Sequence, residues 1–315
     1  MRVLVTGGAG FIGSHLADRL ARGGSEVTVL DNLSTGTREN ISHLVDLGAA
    51  RLVVGDITDR QLLCTITKDV DVIVHLAAII SVPFSVSHPL ATDRTNVVGT
   101  LCLLESAMRN EVSKFIGVSS CAVYGEAKYL PIDEKHPKNP SSPYAASKLR
   151  SEAHCEAFHN SHGLDTTVLR LFNVYGPRQE RNPYAGVIVK FQERLRTGCP
   201  PVICGDGRQT RDFVHVNDVV DAIVRSLEAG RPKGRTYNIG SGQATSIGRL
   251  ATLMIDISGA KLRPTYCPPR LGDILHSQAD IARARKELGY EPKVSLDRGL
   301  RSLLAKSDVT MATNA

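Results

Sequence analysis

Three side chains near the middle of the chain have the types and spacing for proton transfer. Tyr144 and Lys148 stand at i and i+4 in Pro143-Tyr144-Ala145-Ala146-Ser147-Lys148, and Ser120 lies upstream in Ser119-Ser120-Cys121-Ala122-Val123-Tyr124-Gly125. Pro143 suits a helix's first turn, which puts Tyr144 and Lys148 on one face. A phenol has a pKa of about 10, and a nearby ammonium stabilises its phenolate, so Tyr144 reads as a general base. Ser120 could bridge to the same substrate oxygen. A tyrosine–lysine pair alone is common helix decoration; a second set of residues upstream changes its meaning.

That set opens the chain. Met1 to Val5 is an apolar run of strand length; it breaks into Thr6-Gly7-Gly8-Ala9-Gly10-Phe11-Ile12-Gly13-Ser14 and resumes as a helical pattern through His15, Leu16, Ala17 and Leu20. Strand, glycine loop and helix make a diphosphate cradle: a tight turn needs positive φ, a diphosphate approaches backbone only where no Cβ intervenes, and the helix N-terminus favours an anion. The glycines read either as Gly8-x-Gly10-x-x-Gly13 or as Gly7-x-x-Gly10-x-x-Gly13. A second strand, Glu26 to Leu30, ends at Asp31, where a dinucleotide fold places an acid against the adenosine ribose. Such a carboxylate accepts from both ribose hydroxyls and repels a 2′-phosphate, which favours NAD over NADP.

These motifs need a sheet to hold them. Strand-like runs follow at Arg51 to Gly55, Val70 to Ala77 and Lys114 to Ser119, with helical periodicity between them, as at Leu101, Leu104, Glu105 and Met108. The alternation predicts an α/β fold, a Rossmann-type doubly wound parallel sheet with both faces covered. Ligands bind at the strands' carboxyl ends in such sheets, and those ends carry Gly7 to Gly13, Asp31, Asp56-Ile57, Leu76-Ala77-Ala78 and Ser119-Ser120. After Asn173 the composition shifts to loops. The expected division is an NAD-binding domain over 1–172 and a smaller mixed α/β substrate domain over 173–315, with 215–240 partly returning to the first through the strand at Thr236 to Gly240. The tail from about Lys306 reads as frayed.

Bulk properties narrow the classes. The 315 residues are 42% hydrophobic and 22% charged, as in a globular protein. The net charge of +6 is spread among acids rather than blocked, which argues for an anionic small molecule over nucleic acid. Seven cysteines form no CxxC pair, pointing to a reducing compartment. The N-terminal apolar run is short for a signal peptide and no stretch has transmembrane length, so a cytoplasmic protein with no membrane partner is expected. His154, His159 and His162 lack partners at metal spacing, so no metal site is expected, and His75 reads as a packed or hydrogen-bonded strand residue.

Taken together, the motifs resemble the extended short-chain dehydrogenase/reductases, and among them the nucleotide-sugar epimerases of the UDP-glucose 4-epimerase type. The likeness rests on Thr6 to Gly13, Asp31-Asn32-Leu33, Gly55-Asp56-Ile57, His75 to Ala78, Tyr144-x-x-x-Lys148, Arg170-Leu171-Phe172-Asn173-Val174-Tyr175-Gly176-Pro177, and Gly205-Asp206-Gly207 leading to Arg211-Asp212-Phe213. It runs from Arg2 to about Leu300. The resemblance implies that NAD is held by Gly7, Gly10, Phe11, Ile12, Gly13, Asp31, Asn32, Ser34, Gly36, Asp56, Ile57, Leu76, Ala77, Ala78, Ile80, Asn96, Tyr144, Lys148 and Phe172. It implies a nucleoside diphosphate held by Asn173, Val187, Val202-Ile203-Cys204, Arg211, Arg270 and Asp273, with Ser120 and Tyr144 at the sugar. Without it, Arg211 beside Asp212 would read as a surface ion pair.

The resemblance also narrows the reaction. Relatives that dehydrate carry an Asp-Glu pair after the serine, where this chain has Cys121-Ala122; decarboxylating relatives carry a glutamate at the position of Ala122. What remains is oxidation at C4 of a UDP-hexose, rotation of the 4-keto intermediate, and hydride return to its other face: 4-epimerisation. Ser277 aligns with the sugar-pocket gate, and its small side chain implies room for N-acetylated sugars. A homodimer through the helices around Leu101 to Met108 and after Tyr144 is expected. The alternatives are a related nucleotide-sugar reductase, decarboxylase or dehydratase, or a non-catalytic NAD-binding sensor.

Overall fold

The computed structural model describes residues 1–179, 186–229, 234–269 and 273–312, with side chains as far as 305. Among the described residues the strands, in chain order, are β1 (Arg2–Thr6), β2 (Glu26–Asp31), β3 (Ala50–Val54), β4 (Val72–His75), β5 (Lys114–Ser120), β6 (Asp165–Leu171), β7 (Asn173–Tyr175), β8 (Val202–Cys204), β9 (Thr210–His215), β10 (Arg235–Ile239), β11 (Ala244–Ser246) and β12 (Thr265–Cys267). Seven of them form one sheet in the order β10-β6-β5-β4-β1-β2-β3. Every pairing in it is parallel. This is the predicted Rossmann-type sheet, and its order reverses at β1, which opens a crevice between the ends of β1 and β4.

The apolar pattern explains why the sheet is covered on both faces. Val3 and Val5 turn to one core with Leu16 and Leu20 of the helix Phe11–Arg22 and Val219 and Ile223 of the helix Val216–Glu228. Leu4 turns to the other with Ile73, Leu103 and Phe115. The three residues are at most 1% exposed, as strands buried on both faces require. The helix Pro143–His162 begins as expected: Pro143 sits in the first turn, the Ser142 hydroxyl accepts from Ala145 N at 3.2 Å, and Gly163 closes the end at φ 70°.

A third core gathers Ile188, Phe191, Ile203, Phe213, Leu250, Met254 and Leu300 beside the small sheets β11-β9-β7 and β12-β8. Residues after 173 are not confined to it. The helix Val216–Glu228 and β10 lie with the large sheet, and so do Ala279, Ile281, Ala284, Leu288 and Tyr290, which join its first core. Ile132 fastens this later segment by accepting from Asp280 N and donating to Gln278 O, both at 2.8 Å. The tail differs from expectation: the helix Leu296–Ala312 runs through the stretch read as frayed. Its first turns bury Leu300, Leu303 and Leu304, and elongation from an anchored helix is cheap compared with nucleation. No helix among the described residues is long and apolar enough to cross a membrane.

Candidate active site

The glycine loop is built from β1 outward. Gly7 has φ +69°, and a Cβ there would lie 2.7 Å from Ala77 N at the end of β4; a Cβ on Gly13 would lie 2.2 Å from Gly7 O. Gly10 meets only Gly7 O, at 3.2 Å. A Cβ on Gly8 would lie 2.7 Å from Val29 Cγ1, so Gly7 and Gly8 both exclude a side chain and both readings of the loop hold, Gly7 alone of the four taking positive φ. Gly10 caps the helix Phe11–Arg22, which has no side-chain cap, so Phe11 and Ile12 open a helix end that favours an anion.

Asp31 sits at the end of β2, 7% exposed, with Oδ2 accepting from Ala9 N at 3.0 Å and Oδ1 from Leu33 N at 2.8 Å. It therefore fixes the loop as well as facing the position a ribose would take. A Cβ on Gly36 would fall 2.9 Å from its Oδ2, so this glycine keeps the carboxylate open. Asn32 donates to Asp56 Oδ2 at 3.1 Å and accepts from Ser34 N at 3.1 Å. Burial works to raise the Asp56 carboxyl, but hydrogen bonds from Thr58 and Asn32 outweigh it and hold the group below its usual value. Ile57 is buried behind it, Ile80 is exposed, and Phe172 is buried beside the end of β10. Asn96 bonds Ile79 N and O at 2.8 and 2.9 Å and Ser147 Oγ at 2.9 Å. Its carboxamide thus holds the Leu76–Ile80 segment, with Ala77 and Ala78, against the catalytic helix. A Cβ-intolerant cradle, an uncapped helix end and a carboxylate at the second strand fit a dinucleotide that lacks a 2′-phosphate.

The proton-transfer group assembles at the ends of β5 and the start of the helix Pro143–His162. The Ser120 hydroxyl accepts from Ala122 N at 3.2 Å, and Ser120 acts to favour the phenolate of Tyr144, a residue 8% exposed. Burial pushes the Tyr144 phenol up to about 12, against the pull of Ser120. The expectation that the Lys148 ammonium holds this phenol down is amended. Lys148 Nζ donates to Val118 O at 2.8 Å, and among the described residues Ser120 is what lowers Tyr144. Lys148 itself is lowered by burial to about 8, so it remains mostly charged at neutral pH. His75 is a packed strand residue as expected, bonded to Thr6 and Thr100 Oγ1 at 2.8 and 2.9 Å.

On the far side of the crevice, Arg211 donates to Asp273 Oδ1 at 2.5 Å and to Thr210 O at 2.8 Å. The partner of Arg211 is thus Asp273 rather than the adjacent Asp212, which brings the expected diphosphate and ribose ligands together. Asn173 starts β7, and its buried Oδ1 has no hydrogen-bond partner among the described residues, an open acceptor of the kind a ligand donor would satisfy. Val187 opens the helix Val187–Arg196, whose Gly186 cap supplies no side chain, and Val202-Ile203-Cys204 is β8, lying beside β12. Arg270 lies outside the described residues.

Two residues here escaped the sequence reading. The sequence shows Cys121 only as a missing acid; burial raises its thiol to about 11, so it is neutral, with Ser277 and Ser120 acting against that rise. Ser277 is 5% exposed and acts on the same thiol as Ser120. Asp212 is fully buried and accepts from Ser241 N and Oγ, Gly242 N and Ala279 N at 2.6–3.0 Å. The pattern Arg-Asp-Phe carried no signal of that, because its partners lie 29 to 67 residues away. Among the described residues no group of three or more His, Cys, Asp or Glu could hold a metal ion.

Comparison with known proteins agrees with this geometry. Residues 3–240 match the NAD dependent epimerase/dehydratase family. The UDP-glucose 4-epimerase of Mycolicibacterium smegmatis is 44% identical over 304 residues, covering 95% of this chain and 96% of that protein. A dTDP-glucose 4,6-dehydratase of Streptomyces niveus is 37% identical over 308 residues, 95% of this chain and 90% of its own length. The crystal structure of Thermotoga maritima UDP-glucose 4-epimerase with UDP-glucose superposes with a TM-score of 0.94 at 40% identity, covering 99% of this chain and all of that one. With this coverage, and with the dinucleotide cradle and the Ser120, Tyr144 and Lys148 group in place, the chain belongs to the NAD dependent epimerase/dehydratase family, and NAD is its cofactor.

Proposed function

We propose that the chain is a UDP-hexose 4-epimerase acting on UDP-glucose and UDP-galactose. The observation that carries this choice within the family is the neutral surface that follows Ser120. Elimination of water needs an acid and a base beside the sugar; here Cys121 is a thiol held at about 11 and Ala122 has no titratable group. Oxidation and reduction at one carbon need no acid and base beyond Tyr144.

Tyr144 takes the proton of the C4 hydroxyl, and Ser120, which favours its phenolate, orients that hydroxyl. Bound NAD supplies the hydride acceptor at C4 and returns the same hydride, so the exchange is redox-neutral. Lys148, charged at neutral pH and bonded to Val118 O here, would turn to the nicotinamide ribose of bound NAD and bring its cation to the proton-accepting Tyr144. Arg211 and Asp273, with Arg270, grip the nucleoside diphosphate, leaving the hexose free to turn so that its other face meets the hydride. Tyr144 then gives the proton back. The reading supposes a cytoplasmic enzyme working as a homodimer, its contact made by the helices Gly99–Arg109 and Pro143–His162.

Replacing Tyr144 by Phe tests the assignment. Interconversion of UDP-glucose and UDP-galactose is expected to fall by at least about a hundredfold while NAD stays bound. Full turnover in Tyr144→Phe would sink the assignment, and net consumption of reduced cofactor by the wild type would point to a reductase instead.

A further inference from the structure

Behind the catalytic group lies a buried polar network that the proposed reaction does not use. Glu152 stands one helical turn beyond Lys148. Its Oε1 accepts from Ser119 Oγ at 2.5 Å and from Arg170 Nε at 2.9 Å, and its Oε2 accepts from Arg170 Nη2 at 2.7 Å. The two side chains are 7% and 3% exposed. Arg170 Nη1 goes on to donate to Tyr124 OH at 2.8 Å, and that hydroxyl donates to Asn238 Oδ1 at 2.7 Å. Ser119 immediately precedes Ser120, and Tyr124 ends the short turn Cys121–Tyr124 that follows it. Both ends of the segment carrying Ser120 are therefore tied to one ion pair.

A buried ion pair is a poor device for stability, because desolvation offsets most of its attraction. Its position suggests another use. We infer that Glu152 and Arg170 are positioning residues: the pair clamps the Ser119–Tyr124 segment so that Ser120 meets Tyr144, and the Glu152 carboxylate keeps Lys148 charged. The inference rests on the epimerase reading for its link to turnover, though not for its electrostatics.

The groups facing Lys148 leave Glu152 as its source of negative charge. Along its own helix stand Tyr144 and Cys155, both uncharged at neutral pH, with Cys155 raised by burial to about 12. From β4 comes His75, held neutral by burial at about 3. β5 contributes Val118 O and Ser119, and β6 contributes Arg170, whose charge is spent on Glu152. Burial lowers Lys148 to about 8 and Glu152 acts against that fall. Removing the carboxylate should let Lys148 lose its proton at lower pH still.

The test is direct titration of Lys148 in NAD-loaded protein carrying 13Cε-lysine, followed by NMR and assigned by its loss in Lys148→Met. The wild-type midpoint is expected near 8. In Glu152→Gln it should drop by about one pH unit or more; an unmoved midpoint in the folded variant overturns the electrostatic half. Should Glu152→Gln fail to fold, Glu152→Asp carries the test through its retained charge and shorter reach. Drawn back from Lys148, that carboxylate should lower the midpoint by part of the same drop, and an unmoved midpoint overturns the electrostatic half. Ser119→Ala removes only the clamp's grip on the strand. It should lower kcat ten- to a hundredfold with KM and the Lys148 midpoint unchanged, and an unchanged kcat overturns the clamp. A wild type that cannot interconvert UDP-glucose and UDP-galactose would refute the epimerase reading while leaving the titration interpretable.

Discussion

At the scale of single residues, environment decides what each group can do. Tyr144 and Lys148 have ordinary side chains, yet burial separates their behaviour: it drives the phenol up, away from neutral pH, and the ammonium down toward it. Burial acts on Cys121 as it does on Tyr144, keeping the thiol neutral, which supports the proposed epimerisation over dehydration. Ser277 is buried, and on the proposed reading its small volume leaves space at the hexose end. Ser277→Tyr should therefore cut turnover of UDP-N-acetylglucosamine at least about tenfold while sparing UDP-glucose. Comparing kcat/KM for the two sugars checks it, and equal retention of both would remove Ser277 as the gate.

At the scale of elements, the turn from β1 into the helix Phe11–Arg22 converts backbone into a binding surface. Its glycines are not equivalent. A Cβ on Gly13 would overlap Gly7 O at 2.2 Å, a contact with backbone that cannot swing away, whereas one on Gly10 would meet the same oxygen at 3.2 Å. Gly13→Ala should lose most of its bound NAD, read as nucleotide released from purified protein, and Gly10→Ala should lose much less. Equal NAD content in the two variants would mean that the cradle is not set by this packing.

At the scale of the whole molecule, the chain passes repeatedly between the large sheet and the third core, and Asp212 on β9 is one of the joints. Phe213 turns into the third core and Val214 into the first, while Asp212 gathers the N–H groups of Ser241, Gly242 and Ala279 from the loop after β10 and the segment after 273. Asp212→Ala strands three backbone donors at once. Urea unfolding should report a loss of about 3–5 kcal/mol, and a loss under about 1 kcal/mol would show that the joint is dispensable.

The sequence alone determined the local signals. The glycines of the first loop, Asp31 at the end of its strand, Pro143 before Tyr144, and the alternation of apolar runs each follow from short-range sterics and periodicity. They were sufficient for the parallel sheet, and they pointed to the NAD cradle and the proton-transfer group. What needed the tertiary structure was every property set by partners distant in the chain. The need for glycine at both 7 and 8 depended on Ala77 after β4 and Val29 on β2, and the partner of Arg211 was Asp273 rather than its neighbour Asp212. The protonation of Tyr144, Lys148 and Cys121 depended on desolvation, which no spacing reveals. The Glu152–Arg170 pair was invisible for the same reason: two charged residues 18 positions apart carry no pattern until the helix Pro143–His162 is laid against β6 and the space between them is sealed from water.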